Sequence, residues 1–195
     1  MLISSQSLTN APVISVQDSG RIATLKEPVI DPDNLQILAF RIIPTSPDAS
    51  LLDTKSIREY SHLGVIIDSA EEFIGAEDVV RIKNILDLKF HLIGLRVETK
   101  KHTNLGHIIG FTVSDQDFMI QQIIVKRPMI KSFIDPELTI PRSEIIEVTD
   151  TKIVVKDEEK TIRERATKED FVPNFVNPFR THEPGFAPAD TEEKT

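Results

Sequence analysis

One pattern of apolar residues occurs twice in this chain, and that repetition limits its possible folds more than any other feature. A shift of 83 positions lays Ile22-Ala23-Thr24-Leu25 on Leu105-Gly106-His107-Ile108. The same shift places Ile30 on Val113, Leu35 on Phe118, Ile37 on Ile120, Phe40 on Ile123 and Ile42 on Val125. Farther on the shift becomes 88, with Ser56-Ile57-Arg58-Glu59 on Glu144-Ile145-Ile146-Glu147 and Val65-Ile66-Ile67 on Ile153-Val154-Val155. The second copy therefore carries five extra residues in the loop around Pro128 to Leu138. Apolar positions agree while polar ones diverge, as happens when two copies share a core and not a site. A unit this long is no solenoid repeat, so each copy is expected to be a small domain.

Each copy is built from short β-branched runs. Val13-Ile14-Ser15-Val16 stops at Asp18-Ser19-Gly20, and the run ending in Val29-Ile30 stops at Asp31-Pro32-Asp33-Asn34. Further runs are residues 64–67, 95–97, 108–113, 120–125, 145–148 and 153–155. Ile- and Val-rich segments of this length, bounded by Asp, Pro, Gly and Asn, read as closely spaced strands of small barrels or sandwiches. One helix is expected, at about Glu77 to Leu88, where Ile82, Ile85 and Leu86 share a face opposite Lys83, Asn84 and Asp87. A copy of about 70–80 residues makes only a marginal core alone, so a substantial interface between copies is expected, with the helix near it. From residue 157 a charged run gives way to Pro173, Pro178, Pro184 and Pro188 among polar residues. That composition reads as a flexible, disordered tail.

These residues resemble the PRC-barrel family. The second copy carries the resemblance best, in Leu105-Gly106-His107-Ile108, Ile120 to Val125, Ile140-Pro141-Arg142-Ser143-Glu144-Ile145 and Ile153-Val154-Val155. In the first copy Ala23 stands for the usual Gly and Asp53 stands where Pro141 does, while Val29-Ile30-Asp31-Pro32 keeps the pattern. The resemblance covers about residues 2–156 and implies a mainly β chain. It would hold two tandem small PRC-type β-barrels with a short connecting helix: a first barrel over 1–82, a second over 83–156 and the tail over 157–195. It also implies action by protein binding, with no chemistry carried by the motifs.

Composition and motif searches point the same way. The chain has no Cys, which excludes disulfides, thiolate metal sites and thiol catalysis. No apolar stretch suits a bilayer span and no basic leader precedes the first strand, so a cytoplasmic location is expected. Nucleophile elbows, phosphate loops and paired metal-binding histidines are absent, so the chain reads as non-enzymatic and without a cofactor. Asp31-Pro32-Asp33-Asn34 has half the oxygens of a calcium loop but lacks its later Gly and Glu, and reads as a turn. Asp68, Glu71 and Glu72 read as a solvated connection; His62, His91, His102, His107 and His182 form no metal-binding pair, and His102 and His107 read as solvated turn residues.

Two features suggest binding. Lys126, Arg127 and Lys131 form a basic patch around Pro128, extended by Arg142, suited to an acidic protein surface or to RNA phosphate. Phe171, Phe175 and Phe179 recur every four residues in the tail, where Pro173 and Pro178 oppose a helix, and suggest a linear docking motif. The net charge of −8 argues against broad affinity for nucleic acid. A protein-interaction scaffold or adaptor is therefore the first expectation, and a ribosome- or RNA-associated assembly factor the second.

Overall fold

The computed structural model describes residues 1–46, 49–61, 63–128 and 136–157, which lie within one compact unit, Met1–Glu158. The tail with Phe171, Phe175 and Phe179, and Lys131 of the basic patch, lie outside the described residues. The chain is mainly β. Strand β1 (Leu2–Ser4) and a four-residue helix, α1 (Ser5–Leu8), lead into β2 (Pro12–Ser15), β3 (Gly20–Asp31) and β4 (Gln36–Ser46). Then come β5 (Ala49–Asp53), β6 (Glu59–Ser61), β7 (Gly64–Ile67), β8 (Phe73–Ile74) and helix α2 (Val80–Asp87). The second half holds β9 (Arg96–Thr99), β10 (Asn104–Ser114), β11 (Ile120–Lys126), β12 (Glu137–Pro141), β13 (Ile145–Val148) and β14 (Lys152–Val155). Among the described residues no helix is long and apolar enough to cross a membrane.

The sequence repeat is a structural repeat. Strand β9 repeats β2 at a shift of 84, and β12 and β14 repeat β5 and β7 at a shift of 88. The two sheets run β6-β7-β2-β3-β4-β5-β8 and β13-β14-β9-β10-β11-β12, and β1 joins the second by pairing with β10. In each, one parallel pair, β2 with β7 or β9 with β14, sits among antiparallel ones. Even the backbone exceptions recur. Asn10 and Gly94 have φ of 64° and 92°, Ser19 and His102 have 52° and 62°, and Leu35 and Phe118 have 52° and 53°. The Asn10 amide donates to the Leu25 carbonyl and the Gly94 amide to its counterpart on Ile108, at 3.1 and 2.8 Å.

The expected closed barrels are not formed by these ladders. Among the described residues neither sheet joins its first strand to its last. After β5 and after β12 the chain enters a 3-10 turn, Thr54–Ser56 or Arg142–Glu144, which interrupts the ladder before the next strand. In the first sheet β8 also occupies the outer edge of β5, pairing Ile74 with Leu51 and Phe73 with Leu52.

The copies meet turn to turn across a local two-fold. The Ile37 amide donates to the Phe118 carbonyl at 3.0 Å, and the Ile120 amide donates to the Leu35 carbonyl at 2.9 Å. Gln36 and Met119, themselves equivalent, form the bridge between them. Each turn is braced alike: the Asn34 side-chain oxygen accepts from the Gln36 amide and the Asp117 carboxylate from the Met119 amide, both at 3.0 Å. Left-handed backbone at Leu35 and Phe118 costs about 1–2 kcal/mol each. Burial of both side chains offsets that cost, and the Phe118 ring meets Phe40 edge-on at 5.9 Å. One continuous core results, with Leu25, Ile37, Phe40 and Leu52 from one copy and Ile108, Phe111, Ile120 and Ile123 from the other.

The outer faces differ, and the sequence explains why. Helix α2 lays Ile82, Ile85 and Leu86 on Val29, Leu38, Ala39 and Leu51 of the first sheet. The corresponding residues of the second sheet are Thr112, Gln121, Gln122 and Thr139, which cannot recruit an apolar helix. Helix α2 is further held by Arg81, whose guanidinium donates to the buried Asp31 carboxylate at 3.0 Å.

Candidate partner-binding surface

Lys126 ends β11, directly across from His107 of β10 on one side and Glu137 of β12 on the other. It is exposed, and Arg127 beside it is half-buried. The Arg127 amide donates to the Pro136 carbonyl at 3.0 Å, which fixes the backbone where β11 ends. Together with Asn104, His107, Ile109 and Pro128, these two cations line a concavity of about 280 Å³.

Gly106 makes that concavity possible. Its φ is +132°, and a Cβ there would lie 1.9 Å from the Lys126 carbonyl oxygen. Without a side chain at 106, β10 and the end of β11 approach closely enough to bring Lys126 and Arg127 over the sheet. The Asn104 side-chain oxygen accepts from the Gly106 amide at 3.1 Å and sets this bend. The Nδ1 of His107 lies 3.3 Å from the Gly94 carbonyl; a carbonyl only accepts, so Nδ1 is the donor. In the first copy the counterparts of Lys126 and Arg127 are Ile43 and Pro44, while those of Asn104 and Ile109 are Arg21 and Lys26, so the positive charge sits at other positions.

The structure separates Arg142 from this patch, which corrects the sequence reading. Pro141 pairs with Gln122 whereas Glu137 pairs with Lys126, so Arg142 follows the opposite end of β12. Four residues of strand put that end about 13 Å from Lys126. Arg142 instead donates to the Asn34 carbonyl of the first copy. On the other side of the local two-fold, the Gln36 side-chain amide donates to the equivalent Asp117 carbonyl at 2.9 Å. These paired clamps cross two shallow concavities of about 350 and 270 Å³ at the junction.

Asp31 and Asp68 have structural partners. The Asp31 carboxylate accepts the Asp33 amide with one oxygen and Arg81 with the other, so this loop is a braced turn. Asp68 pairs with Arg58 at 2.6 Å. No cluster of three metal-ligating side chains occurs among the described residues.

Sequence reasoning missed the group around Glu98. This buried carboxylate of β9 is hydrogen-bonded by Lys152 of β14, with His102 at 3.5 Å. The Lys152 ammonium, with a smaller contribution from His102, holds the Glu98 carboxyl below its ordinary range against the opposing effect of burial. Only the parallel pairing of β9 with β14 brings Lys152 to Glu98, so no local motif announced that pair. No protein-family model matches this chain, and no curated protein sequence matches it.

Proposed function

We propose that this chain is a non-enzymatic interaction scaffold: two PRC-type units, each an incompletely closed barrel, fused through one core and binding a protein partner with the second copy. One observation carries the reading. The copies coincide in core, turns and register, yet the surface over β10 and β11 holds Lys126 and Arg127 in one and Ile43 and Pro44 in the other. Where a duplicated framework stays constant, surface divergence is the place to look for function, and this divergence creates a charged concavity with an apolar floor. The repeated strand order supports the PRC-type assignment, and the tail aromatics Phe171, Phe175 and Phe179 would add a second contact that gains from effective concentration.

The test is affinity capture from a native extract with the full chain, with Lys126→Glu/Arg127→Glu, and with a chain ending at residue 157. The scaffold reading expects specific proteins that are depleted by the double reversal. A captured set identical for all three overturns it. Salt-sensitive co-sedimentation with small ribosomal subunits, abolished by the same reversal, would instead identify an RNA-associated factor.

A further inference from the structure

A row of basic residues crosses the second sheet. Register puts Lys152 beside Arg96, Arg96 beside His107, and His107 beside Lys126, on the neighbouring strands β14, β9, β10 and β11. Glu137 of β12 follows Lys126 and ends the row. The next residue in each of these first four strands, or the one before it in β11, is buried: Ile153, Val97, Ile108 and Val125. Strand alternation therefore turns the row outward, and Arg96, His107, Lys126 and Glu137 are all exposed. The corresponding residues of the first copy are Gly64, Pro12, Thr24, Ile43 and Ala49, with Pro12 beside Thr24 and Thr24 beside Ile43. The pairing of the middle positions is the same, but Ala49 pairs with Ser46 and not with Ile43, and none of these five first-copy residues is charged, although Arg21 donates to Thr24.

We infer that this row seats a short acidic segment of a partner protein, laid in extended form across the strands. The inference rests on the scaffold reading and names its ligand. Arg96 and Lys126 are two strand spacings apart, about 10 Å. Side chains on one face of an extended segment repeat every 6.8 Å or so, and the remaining gap of about 3 Å is within reach of the long Arg96 and Lys126 side chains, so two acidic residues separated by one other can meet both. Ile109, 38% exposed, and Pro128 give an apolar neighbour of that pair somewhere to pack. Lys152 is already committed to Glu98, so the row is bounded by carboxylates, Glu98 at one end and Glu137 at the other. A long polyanion would run onto those carboxylates, whereas a short acidic motif fits between them. Apart from the His107 imidazole, held on the Gly94 carbonyl, the row contains no aromatic ring on which bases would stack, which favours a peptide over single-stranded RNA.

The test uses the full chain and fluorescence anisotropy with three probes: a short labelled peptide holding Glu-Leu-Glu between Gly and Ser residues, its Gln-Leu-Gln analogue, and a labelled oligouridylate. The acidic peptide should bind more tightly than the other two and weaken with salt. Arg96→Glu/Lys126→Glu should weaken it about tenfold, and Lys55→Glu, a reversal in the first copy, less than about twofold. Arg96→Gln/Lys126→Gln, which removes charge without adding repulsion, is the parallel variant should the reversal disturb folding. Equal binding of the Gln analogue, indifference to both double variants, or tighter binding of the oligouridylate overturns the inference. None of these results touches the scaffold reading, which stands or falls on protein capture from extract.

Discussion

The sharpest test of the local geometry is Gly106→Ala. A Cβ at this position would meet the Lys126 carbonyl oxygen at 1.9 Å and its carbon at 2.8 Å, where ordinary contact begins near 3.4 Å. Both atoms are backbone, so relief requires the end of β11 to move by more than 1 Å. The φ of +132° adds roughly 1–3 kcal/mol of strain for any residue with a Cβ. Displacement of β11 also loosens the ladder with His107 and the Arg127 amide bond to Pro136, at about 0.5–1.5 kcal/mol for each hydrogen bond lost. With two such bonds lost the sum is about 2–6 kcal/mol, a large part of a typical stability of 5–15 kcal/mol or so. Two glycines calibrate the effect. Gly94 has φ of +92° but open space around it, so Gly94→Ala should cost only about 1–2 kcal/mol. At Gly20 the nearest atom is 3.7 Å away and no strained φ applies, so Gly20→Ala should fall within about 1 kcal/mol of the parent. Equilibrium urea unfolding of the three variants reads the order directly. A Gly106→Ala chain within about 1 kcal/mol of the parent, or less damaged than Gly94→Ala, would refute the close approach of β10 and β11.

Other perturbations probe the junction, the helix and the buried carboxylate. Phe118→Ala removes a 4% exposed ring at the local two-fold and should cost about 3–5 kcal/mol by urea unfolding. Ile82→Ala should cost about 2–4 kcal/mol and raise hydrogen exchange selectively in α2, since its cluster lies outside the main core. Glu98 has a depressed carboxyl, so its contribution to stability is present above its ordinary value of 4.5 and is lost as pH falls through the lower folded value. Glu98→Gln should therefore flatten the fall in thermal midpoint on acidification below about pH 4.5, and an unchanged acid profile would count against the Lys152–Glu98 pair.

Much of the framework was legible in the sequence because period and punctuation are local. Residues 64–67 and 145–148 are strands with the bounds expected, and α2 falls within the expected Glu77 to Leu88. The change of shift from 83 to 88 lies in the β11–β12 connection, where the extra residues were placed. What escaped depends on contacts far apart in sequence. Leu2–Ser4 joins β10 at Thr112–Ser114, a pairing that a three-residue strand cannot advertise. Arg142 looked like a neighbour of Lys126 because both flank the same loop, but strand pairing sends it to the other end of the sheet. The basic row was invisible for the same reason. Arg96, His107, Lys126 and Lys152 become neighbours only when the register of four strands is known.

The scaffold proposal places function where the two copies differ. Its most direct test gives the second copy the first copy's residues, His107→Thr with Lys126→Ile, in the full chain, and measures retention of captured partner protein beside the urea midpoint. Retention should fall about tenfold, with stability within about 1 kcal/mol of the parent. Undiminished retention by a stably folded variant would contradict it.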